Sequence, residues 1–271
     1  MPELDPSTHN DLQKDHAVLC DAVREAGALA LSYFRTDVKQ WDKGDDDPVS
    51  EADHAVNDLL RERLQGAQPG YGWLSEETDD DAARLERDLV WVVDPIDGTR
   101  AFLKGKPHFT ICVALVFNGK PVSAAVFNPA TDEFFEAFAG GGARLNGEII
   151  APSARQEIAG CRMAAFGPMF KHPAWPEPWP EMEIIDRNSV AYRIVLVANG
   201  FVDACIALNP KNDWDLAAAD LIIREAGGEM TTHSGQPLIY NKPATKHRSF
   251  VAAGPTLYAA LFERVGALTL P

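Results

Sequence analysis

The sequence predicts a layered α/β (α+β) protein, on three observations taken along its 271 residues. Apolar residues first recur at helical spacing, short apolar runs bounded by turn pairs follow, and helical and strand-like segments then alternate to the end. Val18, Leu19, Ala22, Val23, Ala26, Leu29, Ala30 and Phe34 lie three and four apart, the period of an amphipathic helix from about Asp11 to Phe34. Ser50-Glu51-Ala52-Asp53 supplies a Ser cap with an acid three residues on, and Ala55, Val56, Leu59, Leu60 and Leu64 continue it as a second helix. Asp stands where a capping box prefers Glu or Gln, so the box reads as imperfect. The connection between the helices, WDKGDDDP, is turn-rich and acidic.

From Tyr71 the segments YGWLSEE, DLVWVVDPIDGT, FTICVALVF, KPVSAAVF and DEFFEAF read as strands. Asn118-Gly119 separates two of them and Asn146-Gly147 follows another; this pair tolerates the positive φ angles of tight hairpins, so an antiparallel meander is predicted from Phe109 to about Phe138. Gly140-Gly141-Gly142 lacks the Lys and Ser/Thr of a phosphate-binding loop and reads as a turn. The Pro/Trp-rich run FGPMFKHPAWPEPWPEM reads as a surface loop, with a cover over a site as the alternative. Beyond it come a helix near Val190 to Asn199, a strand VDACIAL, and a helix LAAADLIIREA that Trp214-Asp215 opens and Gly227-Gly228 closes. The strand SFVAAG and the helix PTLYAALFERV end the chain.

Composition excludes some functions. With 40 acidic against 25 basic residues the net charge is -15, and no short stretch is mostly basic, which disfavours a nucleic acid polymer or an anionic membrane surface as partner. What the acidity permits is a site that collects cations. Cys20, Cys112, Cys161 and Cys205 are widely separated and form no C-x-x-C pair, so they read as buried reduced thiols. The first residues show no basic and apolar leader, and no apolar run approaches the roughly 18 residues of a membrane span. A soluble cytoplasmic protein is the expectation.

The most informative segment is Val90-Trp91-Val92-Val93-Asp94-Pro95-Ile96-Asp97-Gly98-Thr99. An apolar strand delivers Asp94 at its end, Pro95 turns the chain, Asp97 projects from the turn, and Gly98-Thr99 open a helix. Two carboxylates can hold a hard divalent cation, and the free amides of a helix start face an anion. That combination suits a phosphate ester. Ser75-Glu76-Glu77, Asp213-Trp214-Asp215 and Asp47 each again place an acid at an element end. A catalytic pair of the D-x-D-G-T type is disfavoured because Asp94 and Asp97 are three apart, and no calcium loop of the D-x-[DN]-x-[DN]-G type occurs.

Taken together, Asp47-Pro48-Val49-Ser50-Glu51-Ala52-Asp53, Gly72-Trp73-Leu74-Ser75-Glu76-Glu77, Trp91 to Thr99, and Trp214-Asp215-Leu216-Ala217-Ala218 through Ala226-Gly227-Gly228 resemble the inositol monophosphatase superfamily of Mg²⁺-dependent, Li⁺-sensitive phosphatases. The resemblance covers nearly the whole chain. It implies a layered αβαβα sandwich of the sugar-phosphatase type, with an N-terminal α+β half over residues 1–150 and a C-terminal α/β half over 151–271, and the site in the cleft between them. It implies two or three Mg²⁺ ions held by Glu76, Asp94, Asp97, Asp215 and the carbonyl of Ile96. Asp47 and Thr99 are then the catalytic pair that orients the attacking water, and the amides of Gly98 and Thr99 hold phosphate.

The implied activity is hydrolysis of a small phosphorylated metabolite. Asp97, Ser189, Arg193 and Lys211 are the candidate substrate contacts. Members that prefer inositol monophosphate carry a Glu shortly before the W-D pair, whereas Ala204 to Asn212 contain no acid. Arg193 stands where the related 3'(2'),5'-bisphosphate nucleotidases carry Lys, although their small-residue run is replaced by Asn188-Ser189-Val190-Ala191. The reading therefore leans slightly to a bisphosphate nucleotide, with inositol 1-phosphate or another sugar or polyol phosphate, including histidinol phosphate, as the alternative. A catalytically idle metal-binding regulatory protein is the competing class. The resemblance also brings a homodimer as an expectation.

Overall fold

The computed structural model describes residues 6–44, 48–173 and 175–270. Helix α1 (Pro6–Tyr33) is followed by strands β1 (Gln40–Asp42) and β2 (Pro48–Ser50) and by helix α2 (Glu51–Ala67). A seven-stranded sheet then runs in the order β3 (Gly72–Ser75), β4 (Leu89–Asp97), β5 (Thr110–Phe117), β6 (Lys120–Asn128), β7 (Glu133–Phe138), β8 (Ala143–Leu145) and β9 (Glu148–Ile149), with the short helix α3 (Thr99–Leu103) leaving β4. Only β3 pairs parallel, against β4; the rest is a meander. The second half adds β10 (Arg162–Ala164), β11 (Glu183–Ile185), helix α4 (Val190–Ala198), β12 (Ala204–Ala207), β13 (Lys211–Asn212), helix α5 (Asp213–Glu225), β14 (Glu229–Thr231), β15 (Lys246–His247), β16 (Phe250–Ala253) and helix α6 (Pro255–Val265). Its five-stranded sheet is ordered β11-β10-β12-β16-β14.

Alternation along the strands builds the layers. On β4 and β5, Trp91, Val93, Ile111, Val113 and Leu115 face α1 and α2, while Val90, Val92, Cys112, Ala114 and Val116 join the core with α4 and α5. The second sheet divides in the same way. Cys205, Ala207, Phe250 and Ala252 meet α4 and α5, and Ala204, Ile206, Val251 and Ala253 meet Leu257, Leu261 and Val265 of α6. The result is a helix, sheet, helix, sheet, helix sandwich, the αβαβα class that the sequence predicts. Each fully buried large side chain in these layers contributes about 1.5–3 kcal/mol, enough collectively to hold a cluster of buried carboxylates in one cleft.

Local signals explain most boundaries. Asn118 and Gly119 adopt φ 47° and 79°, the tight turn between β5 and β6. Helix α2 starts at Glu51 with Ser50 as its cap, and the box forms in full: Ser50 Oγ accepts from the Asp53 amide and Asp53 Oδ2 accepts the Ser50 amide at 2.9 Å, with the Ser50 hydroxyl donating to the same oxygen at 2.6 Å. The expected imperfection is absent: the short Asp side chain reaches back to the Ser50 amide. Gly140 and Gly142 donate their amides to the Glu225 carboxylate at the end of α5, so the glycine turn ties the meander to that helix. The Pro/Trp-rich run packs Trp175 and Trp179 against the α6 core, with the Arg264 guanidinium 4.7 Å from the Trp179 ring centroid. All four cysteines are buried and unpaired, and among the described residues no helix is long and apolar enough to cross a membrane.

Candidate active site

Three segments converge on one cleft of about 180 Å³, whose lining includes Glu76, Asp94, Asp97, Gly98, Thr99 and Asp215. Parallel pairing of β3 with β4 puts Ser75 beside Val93, and the Glu76 amide donates to the Val93 carbonyl, so Glu76 and Asp94 leave the sheet side by side. The register breaks between Asp94 and Asp97, where Pro95 and Ile96 bulge out of the ladder and bring the second acid to the same edge. Asp215 comes from the first turn of α5, where its Oδ2 accepts the Asn212 amide at 2.7 Å. One ligand atom from each of Asp94, Asp97 and Asp215 lies within 4.8 Å of the others.

Gly98 closes this corner. Its φ of 101° is left-handed, and a Cβ there would sit 2.8 Å from the His108 carbonyl oxygen and 3.2 Å from the Ser189 amide nitrogen. We expect Gly98→Ala to destabilise the fold by more than about 1 kcal/mol, read in urea melts, because backbone on both sides must yield.

The electrostatics are those of an unneutralised carboxylate cluster. Burial, then repulsion from Glu76, Asp97 and Asp215, pushes the Asp94 carboxyl well above the usual range. Burial raises Glu76 to about 8, opposed by Lys43, and raises Asp215 to about 7, reinforced by Asp97. Asp97 is also raised by burial, although Ser189 and the amides of Val190 and Ala191 favour its ionised form. Asp94 Oδ1 is a buried acceptor with no hydrogen-bond partner, and the donor set around it is oxygen only. An orphaned carboxylate oxygen among three further acids fits hard divalent cations, which would reverse the sign of the local repulsion. Lys43 bridges the cluster's outer rim, with Nζ 3.0 Å from Glu76 and 2.8 Å from Glu77.

The remaining expected residues divide. Asp47 lies outside the described residues. The carboxylate that Thr99 meets is Asp53: Thr99 Oγ1 is 3.0 Å from Asp53 Oδ1 and 3.1 Å from the Ile96 carbonyl. Asp53 is 1% exposed, and burial raises its pKa against the lowering effect of its Ser50 bonds. It is a site residue that the motif reading left in its capping role. Ser189, expected as a substrate contact, is fully buried, and its hydroxyl engages Asp97 at 2.6 Å, Thr110 at 2.9 Å and the Tyr192 amide at 2.9 Å. It positions Asp97, both of whose oxygens accept from the start of α4, at 3.1 Å from Val190 and 2.6 Å from Ala191. Arg193 and Lys211 are half-buried cations that both act on Asp215. Arg100, which follows Thr99, also lines the cleft.

Comparison with known proteins places the chain in a family. Residues 11–267 match the model of the inositol monophosphatase family. An inositol-1-monophosphatase of Rhizobium meliloti is 36% identical over 236 residues, covering 80% of this chain and 85% of that one. The Escherichia coli protein named Nus factor SuhB is 32% identical over 227 residues, 79% of this chain and 83% of its own. Among solved structures, the extragenic suppressor protein suhB of Bartonella henselae superposes with a TM-score of 0.80 at 28% identity, covering 93% of this chain and 98% of that one. Matched over almost its whole length, and with a buried carboxylate cluster at the cleft, the chain belongs to the inositol monophosphatase family, a family of metal-dependent phosphatases.

Proposed function

We propose that the protein is a Mg²⁺-dependent phosphomonoesterase that hydrolyses a small phosphorylated metabolite in the cytoplasm. The observation that carries this reading is the convergence of Glu76, Asp94, Asp97 and Asp215, with an unpartnered Asp94 oxygen, beside the Thr99–Asp53 hydrogen bond. These four carboxylates, with the Ile96 carbonyl, would hold two or three Mg²⁺ ions. Bound there, the ions supply Lewis-acid polarisation of the phosphate and neutralise charge on the departing oxygen. The chain's own groups handle the proton. Thr99 Oγ1 has one hydrogen to give, and donating it to Asp53 Oδ1 leaves the hydroxyl oxygen able to accept from an attacking water. As the water oxygen bonds to phosphorus and the ester P–O bond breaks, the water's proton passes to Thr99 Oγ1 and the threonine proton to Asp53, while the departing alkoxide takes a proton from solvent water to leave as the alcohol. The raised pKa of Asp53 favours that transfer. Amides of Gly98 and Thr99 are assigned to the phosphate oxygens.

Arg193 and Lys211 bear on the substrate. Burial holds Lys211 below the ordinary lysine range, with Asp215 opposing and Arg193 reinforcing the shift, so the two cations share the Asp215 side of the cleft. This supports a substrate with a second anionic group, such as 3'-phosphoadenosine 5'-phosphate. The name of the Rhizobium relative favours inositol 1-phosphate as the second reading. Phosphate release with Mg²⁺ across both esters, fructose 1,6-bisphosphate and histidinol phosphate tests the proposal. We expect Arg193→Ala and Lys211→Ala each to raise KM for the bisphosphate about tenfold with little change in kcat. Equal effects on inositol 1-phosphate would overturn the bisphosphate assignment, and no release from any ester would favour an idle regulatory protein.

A further inference from the structure

Of the four carboxylates at the cleft, Asp215 has the least support from other elements. Glu76 and Asp94 sit at the paired ends of β3 and β4, and Asp97 accepts from Ser189, Val190 and Ala191 at the start of α4. Asp215 accepts from the Asn212 amide, which belongs to its own turn of α5 and so cannot hold that turn in place. The turn is also under load. Ligand atoms of Asp94, Asp97 and Asp215 lie within 4.8 Å of one another, so like charge there presses the first turn of α5 away from the sheet.

The opposing anchor is Asp213, in the same turn. It is 1% exposed and bonds to the segment 241–247 at every polar group it has to offer: its amide donates to the Thr245 carbonyl at 2.8 Å, Oδ2 accepts the Asn241 amide at 2.7 Å, and Oδ1 lies 2.7 Å from His247 Nε2. A carboxylate accepts there, so Nε2 carries the hydrogen. The segment is fixed in turn by Arg84, whose Nη1 donates to Asn241 Oδ1 at 2.6 Å and whose Nη2 donates to the Lys242 carbonyl at 3.0 Å. Arg84 is buried in the 3₁₀ turn Ala82–Glu86, which follows Glu76 in the chain, and Asp80 holds its guanidinium at 2.6 and 2.8 Å. A chain of bonds thus runs from the segment after Glu76, through Asn241 and Asp213, to the turn that carries Asp215.

We infer that Asp213 and His247 are positioning residues for the metal centre, a role that rests on the metal-dependent reading proposed above: by locking the first turn of α5 to the segment that Arg84 holds, they keep Asp215 close enough to Asp94 and Asp97 to share a divalent ion. Neither side chain lines the cleft, so both act through Asp215. Their contribution is preorganisation. With the turn locked, the repulsion among the acids is met by hydrogen bonds in the metal-free fold, and the ion does not have to pull α5 into place. His247 is also the register partner of Lys211 across β15 and β13, so an ester-dependent readout would mix two effects, which binding of the ion alone separates.

The test titrates the EDTA-stripped full chain with Mn²⁺ alone and follows free Mn²⁺ by its electron paramagnetic resonance signal. His247→Phe keeps a ring beside Tyr240, whose centroid is 5.1 Å away, but has no N–H for Asp213. It should weaken the Mn²⁺ binding that depends on Asp215 about tenfold, the lower end of what outer contacts contribute at metal sites. His247→Gln places an N–H near the Nε2 position and should stay within about threefold of wild type. Asp215→Asn already lacks the carboxylate through which His247 acts, so adding His247→Phe to it should change Mn²⁺ binding no further. Arg84→Lys cannot span Asn241 and the Lys242 carbonyl together; it serves if His247→Phe does not fold, and should show the same loss with the same dependence on Asp215. Wild-type Mn²⁺ affinity in the folded variant, or an equal loss with and without Asp215, would overturn the positioning role and leave the metal centre standing. Absence of Mn²⁺ binding by the wild type would overturn both.

Discussion

Asp94→Asn is expected to lower phosphate release by at least about 10³-fold while leaving the metal-free protein as stable as the wild type, or more so. The two halves of this expectation have one cause. Asp94 is 1% exposed, and its charge is opposed by burial and by Glu76, Asp97 and Asp215. Removing that charge removes repulsion from the metal-free fold and removes attraction for Mg²⁺. The gain in melting temperature that Mg²⁺ gives the wild type should therefore shrink sharply in the variant. The pH dependence has the same origin. Carboxyls whose folded pKa is raised bind more protons in the folded state than in the unfolded one, so they favour folding fully below the unfolded value and lose that contribution as pH rises through the folded one. With Glu76 raised from 4.5 to about 8 and Asp215 from 3.8 to about 7, the EDTA-treated protein should lose stability from about pH 4 to pH 8. Asp94→Asn should flatten that fall. Undiminished turnover, or a metal-free variant that melts well below the wild type, would sink this account of the cluster.

How far the sequence discloses such a site depends on which residues are neighbours along the chain. Asp94 and Asp97 stand at a strand end with Pro95 between them, and local chemistry alone makes them conspicuous. Glu76 is legible once β3 and β4 are read as adjacent strands, because parallel pairing carries its neighbour Ser75 to Val93. Asp215 reaches the cleft only because α5 packs across the first sheet, a tertiary fact that no local pattern contains. The layers follow a similar rule. Period-two alternation on β4 and β5 announces a sheet covered on both faces, whereas the partner of the second face, α4 and α5 with another sheet beyond, needs the chain's return.

Residues with two roles are harder to read than distant ones. Asp53 fills the capping position, so a local reading assigns it to the helix start and looks no further; its second oxygen is the one that meets Thr99. The available signal was its residue type, since an Asp at a place where Glu or Gln suffices is shorter and stays at the helix start. Ser189 misleads in the opposite direction. A serine opening a helix near a cleft suggests a substrate contact, yet its hydroxyl is committed to Asp97 and Thr110.

The dual role of Asp53 leads to the sharpest mutational contrast. Asp53→Asn should reduce kcat on the order of 10²-fold with the Mg²⁺ requirement unchanged, because the amide retains a hydrogen-bond acceptor but has little basicity to receive the Thr99 proton. Thr99→Val should fall about as far. The double variant should fall little further, since either change breaks the same relay. Thr99→Ser keeps the hydroxyl and should keep most activity. Loss of the Asp53 cap costs about 1 kcal/mol, which a urea melt separates from the kinetic effect. Asp47→Asn supplies the comparison. If Asp53 is the proton acceptor, that change leaves kcat within a few-fold of wild type; a collapse of kcat in Asp47→Asn with activity retained in Asp53→Asn would restore Asp47 to the catalytic pair and reduce Asp53 to a helix cap.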